Sequence, residues 1–169
     1  QAMTNLAKKF ADRDLNRKYI ALVWGNLKED MGTIKGHIGR NLKNRKVMDV
    51  FTSGEYGKHA VSHYKVLERF GYTTLVECQL ETGRTHQIRV HMSFKGNNIL
   101  GDKKYKKKYK ILKKIDPNLE KCIINLNRQF LHAKILGFKH PRTGKYLKFS
   151  SNLPEDLGEI LKMLRNSDK

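Results

Sequence analysis

Two extended segments, 59–70 and 72–81, are separated by the single residue Gly71, and nothing else in the sequence restricts the fold as much. Apolar and β-branched side chains recur along both, and a lone glycine leaves room only for a tight reversal. The two are therefore expected to pair antiparallel. The same pattern recurs along the chain. Residues 18–24, Lys-Tyr-Ile-Ala-Leu-Val-Trp, read as a buried strand closed by Gly25-Asn26. Shorter strands are expected at 33–38 and 46–51, around a basic loop at 39–45, and a turn follows at 53–57. A late hairpin is expected from 130–140 and 145–150, across Pro141-Arg142-Thr143-Gly144.

Helical spacing occurs at three places. In 4–12, Leu6, Ala7, Phe10 and Ala11 share a face. After Pro154, Leu157, Ile160, Leu161 and Leu164 form an apolar stripe. Between them, 86–95 reads as a helix with Thr85 as N-cap and Gly96 as its stop, although a strand competes for so short a segment. The sum is an α+β fold: a mainly antiparallel or mixed β-sheet with a few flanking helices. At 169 residues it suits one domain with its own core.

Composition narrows the function. No run of about 18 apolar residues is present, so no membrane-spanning helix is expected, and the first ten residues do not resemble a secretory signal. Cys78 and Cys122 stand far apart without a CxxC spacing, which argues against a disulfide framework or a zinc site and for two buried thiols in a cytoplasmic protein. Lys and Arg number 35 against 16 Asp and Glu, a net charge of +19. Such a surface attracts polyanions, and the spread of charge along the chain favours RNA or DNA over an anionic membrane or a mere aid to solubility. Residues 103–114 hold eight lysines in twelve positions with Tyr105 and Tyr109 between them. A solvated loop is the favoured reading there, and a phosphate-gripping arm is the alternative.

Chemistry concentrates in residues 84–91, where Arg84, Thr85, His86, Gln87, Arg89 and His91 crowd together. On a helix, His86 and Arg89 lie one turn apart on one face, with Arg84 ahead of the N-terminus. Backbone N–H groups, Thr85 and Arg84 would then converge as an anion site. A capped helix with surface arginines explains the same residues about as well. The histidine pairs His86/His91 and His59/His63 lack a carboxylate or cysteine at ligand spacing, so no metal site is expected.

The stretch Thr82-Gly83-Arg84-Thr85-His86-Gln87-Ile88-Arg89-Val90-His91 resembles the Thr-Gly-Arg-x-His-Gln-Ile-Arg-x-His signature of the RluA/RluD-type pseudouridine synthases. Other pieces agree in order. Arg17 to Gly25 resembles the family's tyrosine-bearing strand, and Lys58 to Tyr64 the strand leading into the core. Gly101-Asp102-Lys103-Lys104-Tyr105 resembles its Gly-Asp-x-x-Tyr segment. Arg128 to Ala133 and His140 to Gly144 resemble its late strands, and Leu153-Pro154-Glu155-Asp156 the start of its last helix.

This resemblance implies an enzyme that isomerises uridine in RNA without a cofactor, through an aspartate nucleophile acting on a flipped-out base. Ribosomal RNA is the first target class it implies, and transfer RNA the second. By position, Arg89 resembles the arginine that pairs with the catalytic aspartate, Tyr19 the tyrosine that stacks on the base, and Leu131 an apolar pocket wall. Arg84, Thr85, His86 and Gln87 are the further residues expected to meet RNA. The family's Arg-Leu-Asp-x-x-Thr/Ser motif, which carries the nucleophile, is absent from this sequence, and the glycines after Tyr105 are replaced by Lys106-Lys107-Lys108.

The chain is thus expected to be one truncated catalytic domain, 1–169, inactive alone. A non-catalytic RNA-binding module is the alternative, and a ribosome-associated structural protein a third reading. If a sheet strand is missing, an open edge should promote self-association.

Overall fold

The computed structural model describes residues 15–105 and 115–167. In chain order these form β1 (Leu15–Trp24), β2 (Met31–Arg40), β3 (Met48–Phe51), β4 (Lys58–Arg69), β5 (Thr73–Leu80), α1 (Gln87–Lys95), α2 (Pro117–Asn125), β6 (Leu131–Lys139), β7 (Tyr146–Ser150) and α3 (Glu155–Ser167). The seven strands make one sheet in the order β3-β2-β4-β5-β1-β6-β7, and every neighbouring pair is antiparallel. The expected α+β architecture is present. At the β4–β5 reversal Gly71 takes φ 74°, a conformation open to glycine at no steric cost, while the N–H of Phe70 donates to the carbonyl of Thr73.

β1 lies inside the sheet because both its neighbours arrive later in the chain. Ala21, Leu22 and Val23 are wholly buried on it. Directly opposed residues share a sheet face, so the register assigns sides. Tyr19 faces Cys78, Cys78 faces Tyr64, and Ala21 faces Leu131. One face therefore carries Tyr19, Ala21, Cys78, Tyr64, Ser62 and Leu131. α1 packs on this face, where Gln87 and His91 both reach the Ser62 hydroxyl. The opposite face carries Ile20, Leu22 and Leu75 and is covered by α3, whose Leu157, Ile160, Leu161 and Leu164 are buried. Each such side chain contributes on the order of 2 kcal/mol on leaving water, which is what holds a polar thirteen-residue helix in place.

Four details differ from the sequence reading. The 86–95 segment is a helix, as favoured over the strand, but Thr85 is exposed and does not cap it. The N-cap is His86, at φ 56°. β3 begins at Met48, two residues late. Helix α2 was not anticipated, although Asp116-Pro117 announces it: the Asp116 carboxylate accepts from the N–H groups of Asn118 and Leu119. Of the two thiols, Cys78 is buried, and burial pushes its pKa up to about 12, whereas Cys122 is only half-buried. The helix expected at 4–12 lies outside the described residues. No described helix is long and apolar enough to cross a membrane.

Candidate functional site

Gln87 opens α1 and ties it to the sheet. Its side-chain amide donates to the Val61 carbonyl and the Ser62 hydroxyl, and its carbonyl accepts from Thr82 Oγ1 and from the N–H of Arg84. Two donors and two acceptor positions are therefore all used, and the residue is 3% exposed. Gln87 was expected to face RNA; its amide is instead committed inside the protein. One helical turn on, His91 is wholly buried against Ser62 Oγ, with its Nε2 lacking a partner among the described residues. Burial alone lowers its pKa to about 4, so it is neutral near pH 7.

Arg89 projects from the same helix. Its Nε donates to Asp102 Oδ2 at 2.7 Å and its Nη2 to Asp102 Oδ1 at 2.9 Å, a two-pronged pair. The side chains are 13% and 1% exposed. Asp102 Oδ1 also accepts from the backbone N–H groups of Lys104 and Tyr105. Burial alone would raise the Asp102 pKa; the Arg89 bond and these two N–H groups outweigh it and hold the carboxyl below its usual range. Arg89 had been expected to await a carboxylate from elsewhere. Its Nε–Nη2 edge already has one within this chain. Among the described residues, Nη1 makes no hydrogen bond.

Tyr105 closes the group. Its ring lies under the Arg89 guanidinium, 5.1 Å from ring centre to Cζ. The N–H of Met48 donates to its hydroxyl at 3.0 Å, and the hydroxyl lies 2.9 Å from His86 Nδ1. The Met48 N–H takes one of the phenol's two acceptor positions, and the direction of the Tyr105–His86 bond follows the imidazole tautomer. Burial, then the nearby Arg89 and Lys104, lower the His86 pKa and favour a neutral ring. Tyr105 is 8% exposed, so it is no stacking platform among the lysines that follow it. Residues 106–114 of that lysine run lie outside the described residues.

Tyr19 and Leu131 are half-buried on the face that α1 occupies. Arg17, two residues before Tyr19 on that face, lies against Gly83, and its Nε is buried without a hydrogen bond among the described residues. Arg84 anchors through Nε to the His59 carbonyl, and Thr85 is exposed. The structure thus brings His86 and Arg89 together on Tyr105, and sets Tyr19 and Leu131 on the same side of the sheet. Asp102 is the partner that spacing could not reveal: it sits thirteen residues from Arg89, in a turn. Two clefts beside α2 and α3 contain none of these residues.

A family model described as RNA pseudouridylate synthase matches residues 1–94. The uncharacterized RNA pseudouridine synthase YlyB of Bacillus subtilis is 47% identical over 166 residues, covering 98% of this chain and 50% of that protein. The ribosomal large subunit pseudouridine synthase D of Vibrio cholerae is 41% identical over 168 residues, covering 99% of this chain and 51% of that one. The chain therefore spans about half the length of the curated relatives it matches. Among solved structures, human RNA pseudouridylate synthase domain containing 4 superposes with a TM-score of 0.73 at 25% identity, over 96% of this chain and 67% of that one.

Proposed function

This chain belongs to the RNA pseudouridylate synthase family, and from that premise we propose that it forms part of an enzyme converting uridine to pseudouridine in structured RNA. Ribosomal RNA is the first substrate class, in keeping with the relative named for the large ribosomal subunit, and transfer RNA the second. Its place of action is the cytoplasm. The reaction cuts a carbon–nitrogen glycosidic bond and joins the same two pieces through carbon, with a proton moving from C5 to N1 of the base. Composition and oxidation state are unchanged, so no oxidant, reductant or co-reactant is needed.

The observation that carries this reading is the Arg89–Asp102 pair on the signature helix. Asp102 grips one edge of the guanidinium and fixes its direction. The Nη1 side remains for a second carboxylate, the nucleophile, which these 169 residues do not contain. A nucleophilic aspartate in a half-dry cleft must stay ionised, and a clamped guanidinium opposes the rise in pKa that burial brings. In this reading Tyr19 stacks on the flipped base and Leu131 forms an apolar wall. Arg84, Thr85 and His86 meet the RNA, and Gln87 is scaffold.

The test compares this chain with a version extended to include the aspartate, on ribosomal RNA tritiated at uridine C5. Tritium release is expected from the extended protein only, and the short chain should bind RNA without turnover. In the extended protein, Arg89→Lys should lower kcat by about 100-fold, because an ammonium cannot reproduce the two-edged geometry. Turnover by the short chain, or an unimpaired Arg89→Lys protein, would overturn the proposal. Salt-dependent RNA binding by an extended protein that turns nothing over would favour the binding-module reading instead.

A further inference from the structure

The basic loop singled out in the sequence has no part in the site just described, yet it is built and anchored. Expected at 39–45, it spans 41–47 between β2 and β3 and contains Asn41, Leu42, Lys43, Asn44, Arg45, Lys46 and Val47. The Asn41 carbonyl oxygen accepts from the N–H groups of Lys43 and Asn44, and its amide donates to Asp49. Asn44 Oδ1 accepts from the N–H of Lys46, and Arg40 Nη1 donates to the Arg45 carbonyl. Side chain–backbone bonds of this kind fix a loop without covering it. The loop and the last residue of β2 before it present Arg40, Lys43, Arg45 and Lys46, all exposed and none in an ion pair among the described residues. Between them stands Leu42, 74% exposed, the most solvent-accessible large apolar side chain described. The base of the loop reaches the candidate site, because the N–H of Met48 donates to the Tyr105 hydroxyl that meets His86.

We propose that the β2–β3 tip is a second RNA contact: its cations hold phosphates next to the target nucleotide, and Leu42 wedges against an unstacked base beside it. The inference rests on the family reading above. A rigid loop with four unpaired cations fits a polyanion, and it costs little entropy to order. An apolar side chain set among those cations is out of place in a purely solvated loop. It suits an RNA loop, whose bases can be splayed and packed against protein. The link through Met48 and Tyr105 ties the base of the loop to the residues of the candidate site.

The experiment uses the full chain and a short RNA stem-loop with a uridine in its loop, labelled with fluorescein for affinity or carrying 2-aminopurine next to the uridine. Replacing Lys43, Arg45 and Lys46 together with Gln should weaken binding about 10-fold at moderate salt and reduce the slope of log affinity against log salt by about 2. The matched control, with Lys121, Lys134 and Lys162 replaced by Gln, should do neither. Leu42→Ala should keep affinity within about 3-fold and abolish the 2-aminopurine brightening that reports unstacking. Circular dichroism of each variant separates these effects from misfolding, and a misfolded triple variant leaves Leu42→Ala to decide. Wild-type protein that fails to bind RNA at all would sink the proposed function together with this inference. Wild-type binding that the tip variants leave unchanged, in slope and in fluorescence, would sink this inference alone.

Discussion

At the scale of single residues, the balance at Arg89 and Asp102 is set by burial. A carboxylate 1% exposed stays charged only because a guanidinium meets it on two bonds and two backbone N–H groups complete its shell. Asp102→Asn keeps an oxygen for those N–H groups but strands the Arg89 charge, and should destabilise the fold by about 3 kcal/mol in urea titration. Acid separates this pair from His91. The folded-state pKa of Asp102 is lowered, so its contribution is present above the unfolded value of 3.8 and is lost as pH falls through the folded one. For His91 the folded pKa is about 4 against 6.5 unfolded, so above pH 6.5 the two states bind protons equally. Below it the unfolded chain takes up a proton that the folded one refuses. Stability should then fall by up to about 3 kcal/mol between pH 6.5 and 4. His91→Asn keeps a polar atom near Ser62 and should flatten that slope; an unchanged slope would assign the loss to other groups. Arg89 stood out in the sequence only through the signature. Its partner did not, since nothing in local spacing links positions 89 and 102. Gln87 was misread for a related reason: four inward hydrogen bonds leave no mark on a sequence, and an amide amid arginines looks like a ligand group.

Among the secondary-structure elements, the start of α1 inverts the usual capping logic. Thr85 has the right chemistry for an N-cap, but the chain turns through a left-handed residue at His86 and the cap moves there, without a side-chain bond to the helix. A non-glycine residue at φ 56° carries roughly 1 kcal/mol of strain. His86→Ala keeps the strain and loses the Tyr105 contact, whereas His86→Gly loses the contact but relieves the strain. The glycine variant should therefore be more stable than the alanine variant by about 1 kcal/mol in urea melts, the reverse of their order in a helix interior. Equal stabilities would mean that the backbone there relaxes freely. Helix α2 obeys the ordinary rule, and Asp116→Ala should cost about 1 kcal/mol by the same measurement. Its Asp-Pro start was readable. It escaped notice because the adjoining lysine run dominates that region, although Leu119, Cys122, Ile123 and Leu126 stand at helical spacing behind it. The strands were the most legible part, because a two-residue period and a lone glycine turn leave few alternatives.

For the molecule as a whole, the sheet is covered diagonally. α1 sits on one face toward β2, β3 and β4, and α3 on the other beside β1 and β5. The register sets Leu136, Phe138, Leu147 and Phe149 on the α1-bearing face at its far end. There Phe149 is 55% exposed and stacks on Phe138 at 5.9 Å between ring centres. Among the described residues, β7 has one hydrogen-bonding side unpaired, as the last strand in the sheet order. An apolar aromatic patch running into an open edge is a template for another chain. Charge opposes this, since copies at +19 repel at low ionic strength and less so once salt screens them. Association of this chain should therefore rise with salt, whereas RNA binding should fall with it, so the two can be told apart on one titration axis. Light scattering should show a mass above the monomer at physiological salt. Phe149→Asp should restore the monomer, by removing the stack and placing a carboxylate on the patch, while RNA affinity stays within about 3-fold. A monomeric wild-type chain at high salt would overturn the open-edge argument.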